Sequence, residues 1–84
     1  RYSGFTASLW QCHPASRGRI SIRSSDPLEA PWIEPRYLSE SIDAKTIVAG
    51  IKMLRDIYQQ PAFRGLWDKE VLPGPGAKTD EDLL

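Results

Sequence analysis

The chain has 84 residues, with 11 Lys and Arg against 11 Asp and Glu and a formal net charge of zero. That length holds at most one small domain with a modest core, and charge neutrality provides no field for a phosphate backbone, so no nucleic acid (no DNA) is expected as a partner. A single cysteine forbids an internal disulfide and argues against a small secreted, stapled scaffold; no apolar run approaches the roughly 18–20 residues of a membrane span, and no signal peptide is legible.

Residues 5 to 12 read as a strand. Alternation places Phe5, Ala7 and Leu9 on one face and Thr6, Ser8, Trp10 and Cys12 on the other. Pro14 ends regular pairing, and Ala15-Ser16-Arg17-Gly18 supplies a flexible connection. Residues 19 to 24 form the cleaner strand, with Ile20 and Ile22 opposite Arg19, Ser21 and Arg23. The short spacing predicts antiparallel pairing of these two segments.

From Ser24 to Tyr37 the pairs Asp26-Pro27, Ala30-Pro31 and Glu34-Pro35 predict an extended connector, because proline biases its predecessor away from helix. Trp32 and Ile33 are expected to pin this connector by burial. The strongest element is a helix from about Asp43 to Tyr58. Ile47, Ile51, Leu54 and Tyr58 recur at spacings of three and four, with Val48 and Ile57 widening the stripe. Lys45, Lys52, Arg55 and Asp56 are assigned to its remaining surface, and Ser41 or Asp43 to its cap. Gly50 inside this pattern costs about 0.5–1 kcal/mol relative to Ala and is expected to mark a close approach to another backbone. Pro61 stops the helix and can open a short second turn. Thr79 with Asp82 three residues later reads as a helix start, and a capped start with only Leu83 and Leu84 after it reads as a truncated chain.

Few residues carry reactive chemistry. Cys12 and His13 are neighbours on a strand and point to opposite faces, so they neither chelate one metal nor make a nucleophile–base couple. The expected catalytic, cofactor-binding and metal sites within this chain are therefore none. No glycine pattern forms a phosphate cradle, and Gly74 and Gly76 read as turn residues. Arg17, Arg19 and Arg23 read as a solvated strand face, with Arg17 holding a turn. Trp10, among small polar neighbours, is either core packing or a pocket wall. Trp10, Trp32 and Pro35 imitate the outline of a WW domain, a proline-rich-peptide binding module, but its middle-strand aromatic pair is missing and the helix has no counterpart there.

The string Ser16-Arg17-Gly18-Arg19-Ile20-Ser21-Ile22-Arg23-Ser24-Ser25-Asp26-Pro27 is followed by Pro31-Trp32-Ile33-Glu34-Pro35-Arg36-Tyr37-Leu38, then Asp43. Val48-Ala49-Gly50-Ile51 with Arg55 and Ile57, Gln60-Pro61-Ala62, Glu70 to Gly74, and Thr79-Asp80-Glu81-Asp82-Leu83 complete the series. This order resembles the C-terminal half of glucose–methanol–choline (GMC) flavin oxidoreductases over residues 4 to 84, in particular choline-dehydrogenase-like and aryl-alcohol-oxidase-like members. The resemblance implies an α+β fold: part of an antiparallel sheet packed by one long amphipathic helix, a portion of the substrate-binding domain. It implies FAD-dependent oxidation of the CH–OH group of an alcohol by hydride transfer to flavin. The FAD-binding domain and the catalytic histidine segment would lie outside these residues, and His13 does not match that histidine. The chain alone is then inactive and binds no FAD. Its partners would be the remainder of the same polypeptide and a small-molecule alcohol, and its exposed apolar surface should favour self-association. A tryptophan eight residues before the S/T-R-G glycine lines the substrate cavity in glucose-oxidase-like members, and that position is Trp10 here. Trp10 and Ser8 are the candidate pocket residues. The expected location is cytoplasmic, with a membrane-associated parent as the alternative. An autonomous WW-like module is the alternative function.

Overall fold

The computed structural model describes residues 3–84. Strand β1 (Arg19–Ser21) pairs antiparallel with β2 (Trp32–Glu34), placing Arg19 opposite Glu34, Ile20 opposite Ile33 and Ser21 opposite Trp32. β1 thus takes its partner from the expected connector rather than from residues 5–12, a correction to the sequence reading. Pro31 and Pro35 bracket β2 without entering it, so neither removes a ladder donor. The connection closes on its own hydrogen bonds: Ser24 Oγ accepts from Asp26 N (3.1 Å), Asp26 Oδ1 from Leu28 N (2.9 Å) and Asp26 O from Glu29 N (3.2 Å). Such side-chain-capped turns let a proline-rich segment fold back. Trp32 and Ile33 are not buried as expected, remaining 52 % and 61 % exposed. Arg23 instead lies over the Trp32 ring, 5.2 Å from its centroid.

Helix α1 (Ser41–Tyr58) starts two residues before the expected boundary. Val48 is buried, and Ala44, Ile47, Ile51, Leu54 and Tyr58 are partly covered along the same stripe. Its N-cap is Glu40 in extended conformation, with no side-chain cap. Arg36 and Leu38, at φ 50° and 54°, carry the chain from β2 into the helix.

Residues 5–11 lie along α1 and run against it. Phe5 meets Tyr58 with ring centroids 5.5 Å apart, Leu9 sits against Gly50, and Gln11 reaches Asp43. Six residue steps of extended chain span about 20 Å, and the fifteen helical steps from Asp43 to Tyr58 span about 22 Å. The segment is therefore extended, with Phe5 and Leu9 of the expected face on the helix, but among the described residues it is not the strand that the alternation predicts, because it has no ladder partner.

After α1, Pro61–Phe63 forms a 3₁₀ turn, as the proline predicts. Tyr58 packs edge-on against Phe63 (5.1 Å) and Trp67 (5.9 Å), and Trp67 Nε1 donates to Tyr58 O at 2.9 Å. Thr79 and Asp82 exchange the reciprocal bonds of a capping box, Asp82 N to Thr79 Oγ1 (3.2 Å) and Thr79 N to Asp82 Oδ2 (2.8 Å).

The Cα radius of gyration is 18.1 Å, against about 12 Å for a compact domain of this length. Val48 and Leu83 are the buried apolar side chains of the described residues. A two-stranded ribbon, a long helix and so little core do not make a three-stranded WW module, which corrects the alternative reading. Among the described residues, no helix is long and apolar enough to cross a membrane.

Candidate functional site

The strand-like segment 5–11 is the part of the chain on which sequence reasoning places a function. Trp10 is 81 % exposed and Ser8 is exposed beside it. Neither packs into the core of this chain, so Trp10 is free to wall a space outside it. Cys12 and His13 are exposed as well. Among the described residues, no three of His, Cys, Asp and Glu gather closely enough to hold a metal.

Asp43 holds the end of this segment. It is 1 % exposed, one turn into α1, and its carboxylate accepts from Gln11 Nε2 (2.8 Å), Ala15 N (2.8 Å), Ser16 N (2.7 Å) and Ser16 Oγ. Ser16 Oγ in turn accepts from Glu40 N at 3.1 Å. The sequence offered Asp43 as a helix cap. The structure turns it toward the 11–16 loop, where four donors outnumber the amide it could cap. These bonds, led by the Ser16 hydroxyl and then the Ala15 amide, hold its carboxyl well below the usual carboxylate range despite burial.

Gly50 gives the segment its seat. A Cβ there would lie 3.0 and 3.2 Å from the two Leu9 methyls. The expected approach of another backbone is not found there; the group that approaches is the Leu9 side chain.

A second polar cluster pins the tail. Arg55 donates to Glu70 through Nε (2.9 Å) and Nη2 (2.8 Å), and to Ala77 O (2.8 Å) and Gly74 O (3.3 Å). Glu70 also accepts from Gly74 N at 3.1 Å. Arg55 was assigned to solvated surface, yet its side chain is only a quarter exposed. Its fork binds a carboxylate fifteen residues away, for which no local pattern signals. Mutual pairing lowers the Glu70 pKa and raises that of Arg55.

The arginines of the ribbon are also accounted for. Arg17 Nη1 donates to Ser16 O (2.9 Å) and to Pro14 O, holding the turn as expected. Arg19 and Arg36 pair with Glu34 at 3.4 and 3.6 Å in exposed positions, contacts of small energetic weight.

The glycines make no dinucleotide cradle. A Cβ on Gly18 would strike the carbonyl oxygens of Pro35 (2.5 Å) and Glu34 (2.6 Å), and the Gly74 amide is already taken by Glu70.

A two-stranded antiparallel ribbon followed by one long helix makes the architecture α+β. A family profile described as GMC oxidoreductase, drawn from the family's C-terminal region, matches residues 14–83. An alcohol dehydrogenase [acceptor] of Pseudomonas putida is 38 % identical over 81 residues, covering 96 % of this chain and 15 % of that protein. A choline oxidase of Arthrobacter globiformis is 39 % identical over 83 residues, with the same two coverages. An oxygen-dependent choline dehydrogenase of Pseudomonas fluorescens is 36 % identical over 80 residues, covering 95 % of this chain and 14 % of the relative. The chain belongs to the GMC oxidoreductase family. It spans about one seventh of the length of these relatives.

Proposed function

We propose that these residues form part of the substrate-binding domain of an FAD-dependent enzyme that oxidises the CH–OH group of a small alcohol, choline or an aryl alcohol being the first candidates. In this reading α1 backs a larger antiparallel sheet to which segment 5–11 contributes a strand. Trp10 and Ser8 then line the alcohol pocket, and the flavin and the proton-handling residues belong to the rest of the polypeptide. The observation that carries the reading is the match to the family over residues 14–83. Its support in the structure is the exposed Trp10 on an extended segment that the helix holds through Gln11 and Asp43. The names of the relatives direct the substrate class toward alcohols.

The test uses the full-length polypeptide that carries these residues. Purified protein should show a flavin spectrum that bleaches anaerobically on addition of choline or a benzylic alcohol. A polypeptide with no bound flavin, or one whose flavin no alcohol reduces, would overturn the activity. The 84-residue chain mixed with FAD should retain none after gel filtration, and stoichiometric retention would overturn its placement outside the flavin site.

A further inference from the structure

Segment 5–11 touches α1 at three places spread along the helix: Phe5 on Tyr58, Leu9 against Gly50, and Gln11 on Asp43. All three are odd-numbered residues, and an extended chain repeats its facing every two residues. A slip of one residue would bring Trp10 and Ser8 onto the helix and turn Leu9 out. The register that keeps Trp10 outward is therefore set by what the helix offers each odd position.

Two of those offers are specific. Gly50 leaves room for the Leu9 methyls, whose nearest approach to a Cβ position there is 3.0 Å. Asp43 offers its buried carboxylate to Gln11 Nε2, Ala15 N, Ser16 N and Ser16 Oγ, which fixes the segment's far end and the loop leading to β1. The Phe5–Tyr58 ring contact is less selective, because aromatic pairs tolerate a range of offsets.

We propose that Asp43 and Gly50 are positioning residues for the alcohol pocket: they lock the register of segment 5–16 on α1 and so fix where Trp10 stands. This rests on the pocket reading of Trp10. Neither residue touches the substrate. Their effect passes through the segment, where a misplacement of about 1 Å can cost up to about 100-fold in rate or affinity terms.

The experiment compares four variants in the full-length flavoenzyme, reading alcohol KM and kcat, flavin content, and amide hydrogen exchange of the peptide Tyr2–Arg17. Gly50→Val fills the seat and should raise KM about tenfold, with flavin content unchanged and exchange in 5–16 accelerated. Leu9→Ala added to Gly50→Val vacates the same space and should restore both KM and exchange. Asp43→Asn, which replaces one of the two acceptor oxygens with a donor NH2 facing the loop, should accelerate exchange in 11–16 and raise KM. Trp10→Ala separates the two readings. If it leaves KM unchanged, the pocket reading fails while exchange still reports on the register lock. If it raises KM while Gly50→Val changes neither KM nor exchange, the positioning role is overturned. Failure of Leu9→Ala to rescue Gly50→Val overturns it equally, because general loss of stability would not be reversed by a second truncation.

Discussion

The sharpest stability prediction concerns Gly18→Ala. Gly18 precedes β1, and an added Cβ would lie 2.5 Å from Pro35 O and 2.6 Å from Glu34 O. Both obstacles are backbone atoms next to or within β2, so no side chain can swing away. To reach even 3.0 Å, a separation real Cβ atoms essentially never go below, the facing carbonyl must retreat by at least 0.5 Å. The ribbon has three residue pairs over which to absorb that shift. Overpacking of this kind costs about 1–3 kcal/mol, and the ribbon's exposed isoleucines add little to oppose it. At 2 kcal/mol, local opening becomes roughly thirtyfold more frequent, read as faster amide exchange when closing outpaces chemistry. Exchange of peptides covering 19–21 and 32–34 in the full-length polypeptide is the assay. Gly76→Ala, with nothing within 4 Å of the added carbon, is the control and should leave exchange unchanged. If Gly18→Ala leaves both ribbon peptides as protected as the parent, the steric argument is wrong.

Two further predictions follow from charge and surface. Glu70 and Asp43 both have depressed folded pKa values, set mainly by Arg55 and by the Ser16 hydroxyl. Their stabilisation is fully present above the ordinary carboxylate range and is lost as pH falls through the folded values. Exchange protection of residues 11–16 and 70–77 should therefore hold from pH 7 to about 5 and weaken only below about pH 4.5, and protection that rises on acidification would contradict this. The isolated 84-residue chain exposes Ile20 (71 %), Ile22 (87 %), Leu28 (92 %) and Ile33 (61 %). It should self-associate in sedimentation, whereas a clean monomer at high concentration would count against an unpartnered apolar surface.

Local pattern determined a good deal of this protein. The three- and four-residue recurrence from Ile47 to Tyr58 located α1, because helical periodicity is a property of neighbouring residues. The placement of Phe5 and Leu9 on one face was legible for the same reason, as were the Pro61 turn and the Thr79–Asp82 capping bonds. The ordered motif series placed the chain in its family. Only the tertiary structure decided which segments meet. β1 took residues 32–34 rather than 5–12, Asp43 turned to the 11–16 loop rather than capping its helix, and Arg55 left the surface to bind Glu70. Each of these joins residues more than ten positions apart. Such contacts are selected by loop closure and by competition among donors and partners across the whole chain, which no short window of sequence contains.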